Sequence, residues 1–166
     1  MLLLLGINVR TSAQEWTRFR GPNGTGVSTA KTIPTKWGEK DINWKVALPG
    51  AGHSSPVLWG DKIFLTSAEE VPDKITVFCL KAADGSVLWK KDFPLYPHEK
   101  HKFNTFASAT PAVDENRVYL AWSVPERYTL IALDHQGKTV WERDLGPYKS
   151  QHSCGVSPIV YRDSVI

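Results

Sequence analysis

The chain has 166 residues, of which 42% are hydrophobic and 22% charged, with a formal net charge of +3. That balance describes a globular chain rather than a disordered one. Lys and Arg are scattered rather than clustered, which argues against nucleic acid or an anionic membrane surface as a partner.

The N-terminus opens with a short apolar stretch, Leu2 to Val9, followed by the small residues Thr11-Ser12-Ala13. This pattern reads as the end of a secretory signal cut after Ala13, so residues 1–13 are expected to be a leader remnant and the protein to be exported. The stretch is too short to span a bilayer as a helix, and no integral membrane span is expected. Residues 14–52 follow as an N-terminal segment, with a candidate strand at "NWKVAL" around Trp44.

From residue 53 onward short β-signals recur. "SSPVLW" reads as a first strand, "KIFLTSA" as a second after the Gly60-Asp61 turn, "ITVFCLKA" as a third and "SVLWKKDF" as a fourth after Asp84-Gly85. The same four appear again as "ATPAV", "RVYLAWS", "YTLIALD" and "KTVWERDL", and a third copy begins at "VSPIV" and "RDSVI". Trp44, Trp89 and Trp141 are spaced by about 45 and 52 residues, the period of a four-stranded unit. Blades are therefore expected at about 53–93 and 104–145, with an incomplete one at 152–166. Helical periodicity is absent, and Pro72, Pro94, Pro97 and Pro125 interrupt the few candidates.

The third strands are apolar on both faces, as in "ITVFCLKA", whereas a half-wetted sheet alternates apolar with polar. Sheets covered on both sides imply blades stacked around an axis, so the expected fold is all-β, a partial β-propeller of four-stranded antiparallel blades. The fourth strands are more polar, which suits an outer edge protected by charge. The Asp-Gly turn and the following tryptophan then form a docking device, with the indole reaching to the neighbouring blade.

At Ala82, Asp84, Gly85 and Trp89 the chain resembles the PQQ-like β-propeller repeat family, whose blades carry an Ala-x-Asp-Gly-x-x-x-Trp motif. Asp134, Gly137 and Trp141 match it with a turn one residue longer. The resemblance covers roughly residues 16–166 and extends to BamB-type envelope proteins. It implies a ring of about six to eight blades, with the segment near Trp44 as a candidate ring-closing strand and this chain as an N-terminal portion. A half-ring would expose the face of its last blade and an unpaired edge, and so be poorly soluble alone.

The family also includes quinoprotein dehydrogenases, in which PQQ lies between a tryptophan and a vicinal disulfide beside calcium. This stretch has no Cys-Cys pair and no acidic cluster with calcium-loop spacing, so PQQ and calcium are expected only under the alternative reading of an alcohol or sugar dehydrogenase. Cys79 and Cys154 are the only cysteines; an exported setting permits a disulfide between them, while a buried small hydrophobe suits Cys79 equally. "HEKH" at 98–101 has chelating spacing only on a helix, and its place after Pro97 points to a loop, so no metal is expected there. No catalytic residue is assigned.

What remains is positional. His53, Asn104, Gln151 and His152 each precede a first strand, so their loops should gather at one mouth of the channel. They are candidates for a polar rim that binds a protein or peptide, or caps that satisfy strand ends. The reading is an exported, non-catalytic scaffold of the cell envelope.

Overall fold

The computed structural model describes residues 15–31 and 33–166. The expected leader, residues 1–13, lies outside the described residues. Within them there is no α-helix, only one short 3₁₀ turn at Glu39–Asp41.

Blade 1 is a four-stranded antiparallel sheet in sequential order: β1 (Val57–Trp59), β2 (Lys62–Glu69), β3 (Lys74–Lys81) and β4 (Val87–Pro94). Blade 2 repeats the order with β5 (Ala112–Val113), β6 (Arg117–Val124), β7 (Arg127–Asp134) and β8 (Thr139–Asp144). The hairpin of β9 (Val160–Tyr161) and β10 (Ser164–Val165) starts a third. The protein is a partial β-propeller.

The two blades superimpose residue by residue in their ladders. One row runs Val57, Phe64, Cys79, Trp89 across blade 1, and Ala112, Tyr119, Ala132, Trp141 across blade 2. Each row is followed by the same irregularity, between Cys79 and Leu80 and between Ala132 and Leu133. The rings match too: Phe64 and Trp89 lie 6.0 Å apart, as do Tyr119 and Trp141.

The core lies between blades. Val57, Phe64, Val77 and Cys79 of blade 1 pack on Val113, Val118, Leu120, Ile131 and Leu133 of blade 2. The next interface starts in the same way, with Ala112, Tyr119 and Ala132 against Val160 and Val165. The six central residues of β3 are all buried, with Val77 and Cys79 packed on blade 2. β4 and β8 are largely exposed and carry charge, which blunts the outer edge.

The Ser/Thr-Pro landmarks have a definite task near the axis. Ser55 N–H donates to the Thr110 hydroxyl at 2.9 Å, and Thr110 N–H donates to the Ser157 hydroxyl at 2.9 Å. Each blade thus hands a backbone donor to a hydroxyl of the next. The following proline has no N–H of its own to satisfy at this crowded centre.

Among the described residues the segment around Trp44, a candidate ring-closing strand, joins no ladder, while the Trp44 side chain is anchored on blade 1. Instead, Trp16 bridges to Leu58 on the free edge of β1, with N–H···O distances of 3.2 and 2.8 Å, and the Thr17 carbonyl accepts Val113 N–H at 2.8 Å. The N-terminal segment therefore spans the inner edges of both blades.

Cys79 and Cys154 are both buried as free thiols, without a disulfide between them. Cys79 sits in the interface between blades.

Candidate functional site

Tryptophan docks assemble the blades at one end, and loops form a mouth at the other. In blade 1 the Asp84 carboxylate accepts both the Ser86 hydroxyl at 2.6 Å and Ser86 N–H at 3.0 Å. Those bonds, with Lys81 at 3.3 Å, pull its pKa down to about 2. Gly85 follows at φ +71, and Trp44 lies on it so closely that a Cβ there would meet the indole at 2.4 Å. The Trp44 N–H donates to the Ala82 carbonyl at 3.0 Å.

The second dock has the same plan with a longer turn. Asp134 accepts Gln136 N–H and Lys138 N–H, Gly137 stands at φ +85, and the Trp89 ring covers it. Trp89 N–H donates to the His135 carbonyl at 2.9 Å. So the indole of one unit sits on the turn of the following unit. Lys91 adds a second tie, donating to the Gly137 carbonyl at 3.1 Å and the Thr139 hydroxyl at 2.8 Å. The sequence carries a cue for this tie, a basic residue two places after both Trp89 and Trp141.

Trp141 packs on Tyr119, Val160 and Val165 at the start of the third unit. It borders an open cleft of about 790 Å³ shared with Trp59, Tyr119, Arg143 and Arg162.

At the opposite end of the blades, three loops converge. His53 N–H and Ser54 N–H both donate to the Ala107 carbonyl, at 3.1 and 3.0 Å, and His53 N–H also reaches the Thr105 hydroxyl at 3.3 Å. Asn104 donates through Nδ2 to the His152 carbonyl, while its Oδ1 accepts Thr105 N–H and the Ser108 hydroxyl. Thus Asn104 is turned inward and ties loop to loop, whereas the side chains of His53 and His152 remain exposed. Gln151 lines a shallow cleft with Glu99, Lys149 and Ser150.

The two histidines of "HEKH" part company. His98 contacts the Tyr96 carbonyl at 3.0 Å through Nδ1 and the Ser153 hydroxyl at 3.1 Å through Nε2. His101 instead faces His152, ring centroids 5.0 Å apart and nearly perpendicular. Among the described residues no group of three or more His, Cys, Asp or Glu is placed to hold a metal. None of their helices is long and apolar enough to cross a membrane.

Comparison with known proteins follows the fold. No curated protein matches the chain. Among solved structures, the crystal structure of BamB from Moraxella catarrhalis superimposes with a TM-score of 0.53 at 21% identity, over 74% of this chain and 36% of that one. The chain thus spans about a third of that protein's length. A family model described as outer membrane protein assembly factor BamB matches residues 40–166. With paired four-stranded blades and that match over most of its length, the chain belongs to this PQQ-like β-propeller repeat family.

Proposed function

We propose that the chain is part of an exported, non-catalytic β-propeller that binds a protein or peptide in the cell envelope, periplasmic or extracellular, through its loop mouth. The observation that carries this reading is the bracing of the mouth. Loops preceding β1, β5 and β9 are cross-tied through Ala107, Thr105 and Asn104, yet they leave His53, Gln151 and His152 exposed. A rigid frame with outward polar groups suits recognition, because little ordering is lost on binding. The family model's description as an outer membrane assembly factor supports an envelope setting. The apolar N-terminal stretch supports export.

The far end of the blades is where the N-terminal segment docks. There Glu15 accepts Gly60 N–H at 3.0 Å and the Trp16–Thr17 segment lies along the inner strands. The reading invokes neither PQQ nor calcium.

Photo-crosslinking tests it. A benzophenone residue at position 53 or 151 should give a discrete adduct with an envelope protein in intact cells, and one at position 61, at the other end, should not. Equal labelling from both ends would sink the mouth as the binding face. Dye reduction by the protein with PQQ, calcium and an alcohol would overturn the non-catalytic assignment.

A further inference from the structure

We propose that His101 and His152 form a binding site for a divalent transition metal of the imidazole-preferring class, Zn²⁺, Ni²⁺ or Cu²⁺. The two residues come from different loops, one leading toward β5 and the other toward β9, and their rings meet at the mouth with centroids 5.0 Å apart. Two imidazoles bound side by side to one ion, with metal–nitrogen bonds of about 2.0–2.1 Å, place their centroids roughly 3.2 Å from it and about 4.5–5.2 Å from each other. The observed separation is already that of such a pair.

The loops hold the two rings together. Asn104 Nδ2 donates to the His152 carbonyl, and Asn104 N–H donates to the His101 carbonyl at 2.8 Å, so one residue fixes both backbones. His152 N–H is further held by the Ser150 hydroxyl at 3.2 Å. The ring nitrogens of His152 have no hydrogen-bond partner among the described residues. His101 Nδ1 accepts Phe103 N–H at 3.3 Å, a long bond, which leaves Nε2 without a protein partner. Coordination through Nε2 moves the ring proton to Nδ1 and gives up that bond. Both side chains are exposed, so an ion reaches them without any opening of the fold.

With no third side-chain ligand gathered there, water completes the coordination shell, and imidazole donors favour Cu²⁺ over Ni²⁺ and Zn²⁺ and reject Mg²⁺ and Ca²⁺. The site shares His152 and Asn104 with the proposed binding mouth but does not rest on that reading: it requires only the two rings and the Asn104 brace.

Isothermal titration of the untagged chain with Zn²⁺, Ni²⁺ and Cu²⁺ tests the assignment. One ion per chain should bind, in the order Cu²⁺ above the other two. His101→Ala and His152→Ala should each weaken binding by at least about tenfold. His53→Ala and His98→Ala should leave it unchanged. Because the two ligands lie on exposed loops, the thermal midpoint without metal should move little in either variant. Substoichiometric Cu²⁺ should broaden the ring resonances of His101 and His152 first. No saturable binding, or binding indifferent to both substitutions, would overturn the proposal.

Discussion

Trp89 donates its indole N–H to the His135 carbonyl at 2.9 Å across the boundary between two sheets, while its ring covers Gly137. Trp44 stands in the same relation to Ala82 and Gly85. Trp89→Phe keeps most of the ring contact and removes only the donor, so it should cost about 1 kcal/mol. Trp89→Ala should cost about 2–3 kcal/mol, less than a fully enclosed tryptophan because the ring is half-buried. Urea unfolding of the two variants measures the difference.

Glycine at the docks is a steric as well as a conformational requirement. Gly85→Ala would press a Cβ to 2.4 Å from Trp44, and Gly137→Ala to 2.9 Å from Trp89, both at positive φ. Gly60 also has positive φ (+59) but an empty surround. Gly60→Ala should therefore cost only about 1–2 kcal/mol for the left-handed backbone, and the two dock substitutions clearly more. Thermal melts of the three variants rank them.

The hydroxyl at Thr110 accepts Ser55 N–H in a buried setting. Thr110→Val preserves shape and deletes the acceptor, leaving a donor without a partner. The expected loss is about 1–3 kcal/mol by chemical denaturation. Thr25→Val, whose hydroxyl bonds only within an exposed turn, serves as the comparison and should change stability little.

Asp84 gives a pH signature. Ser86 and Lys81 hold its folded pKa at about 2, below the ordinary 3.8. A depressed carboxylate pKa adds stability that is present above the ordinary value and is lost as pH falls toward the folded one. Between about pH 4 and pH 2, the wild-type chain should lose stability more steeply than Asp84→Asn. Acid melts of the two proteins read the difference in slope.

Burial pushes the Cys79 thiol up to about 11 and also raises Cys154. Thiols held protonated are poor nucleophiles. Iodoacetamide at about pH 8 should therefore label neither cysteine in the folded chain and both in denaturant. Non-reducing and reducing gels should show one mobility.

The blades were legible because their signals are local or periodic. "ITVFCLKA" is apolar on both faces whichever way it is turned, and Asp84-Gly85 makes its turn from side-chain chemistry two residues away. The mouth was only half legible. Position before a first strand pointed to His53, Asn104, Gln151 and His152, but nothing in the sequence distinguishes Asn104, which faces inward as a brace, from its exposed neighbours. The meeting of His101 with His152 and of Trp16 with Leu58 depends on how separate loops lie in space. Neither carries a periodicity or a fixed spacing that a reader of the chain can detect. Trp44 bears the peg of a blade on a segment that joins no ladder among the described residues.

The bond from Val113 N–H to the Thr17 carbonyl imposes an order of events. Its two ends lie far apart along the polypeptide, so a chain emerging from a ribosome or translocon amino end first has no seat for Thr17 until β5 has been made. Trp16 can pair with Leu58 once β1 is made, but Thr17 settles only after β5 has followed. Bulky additions fused directly ahead of Trp16 would then hinder maturation more than equally bulky ones placed at an outer strand.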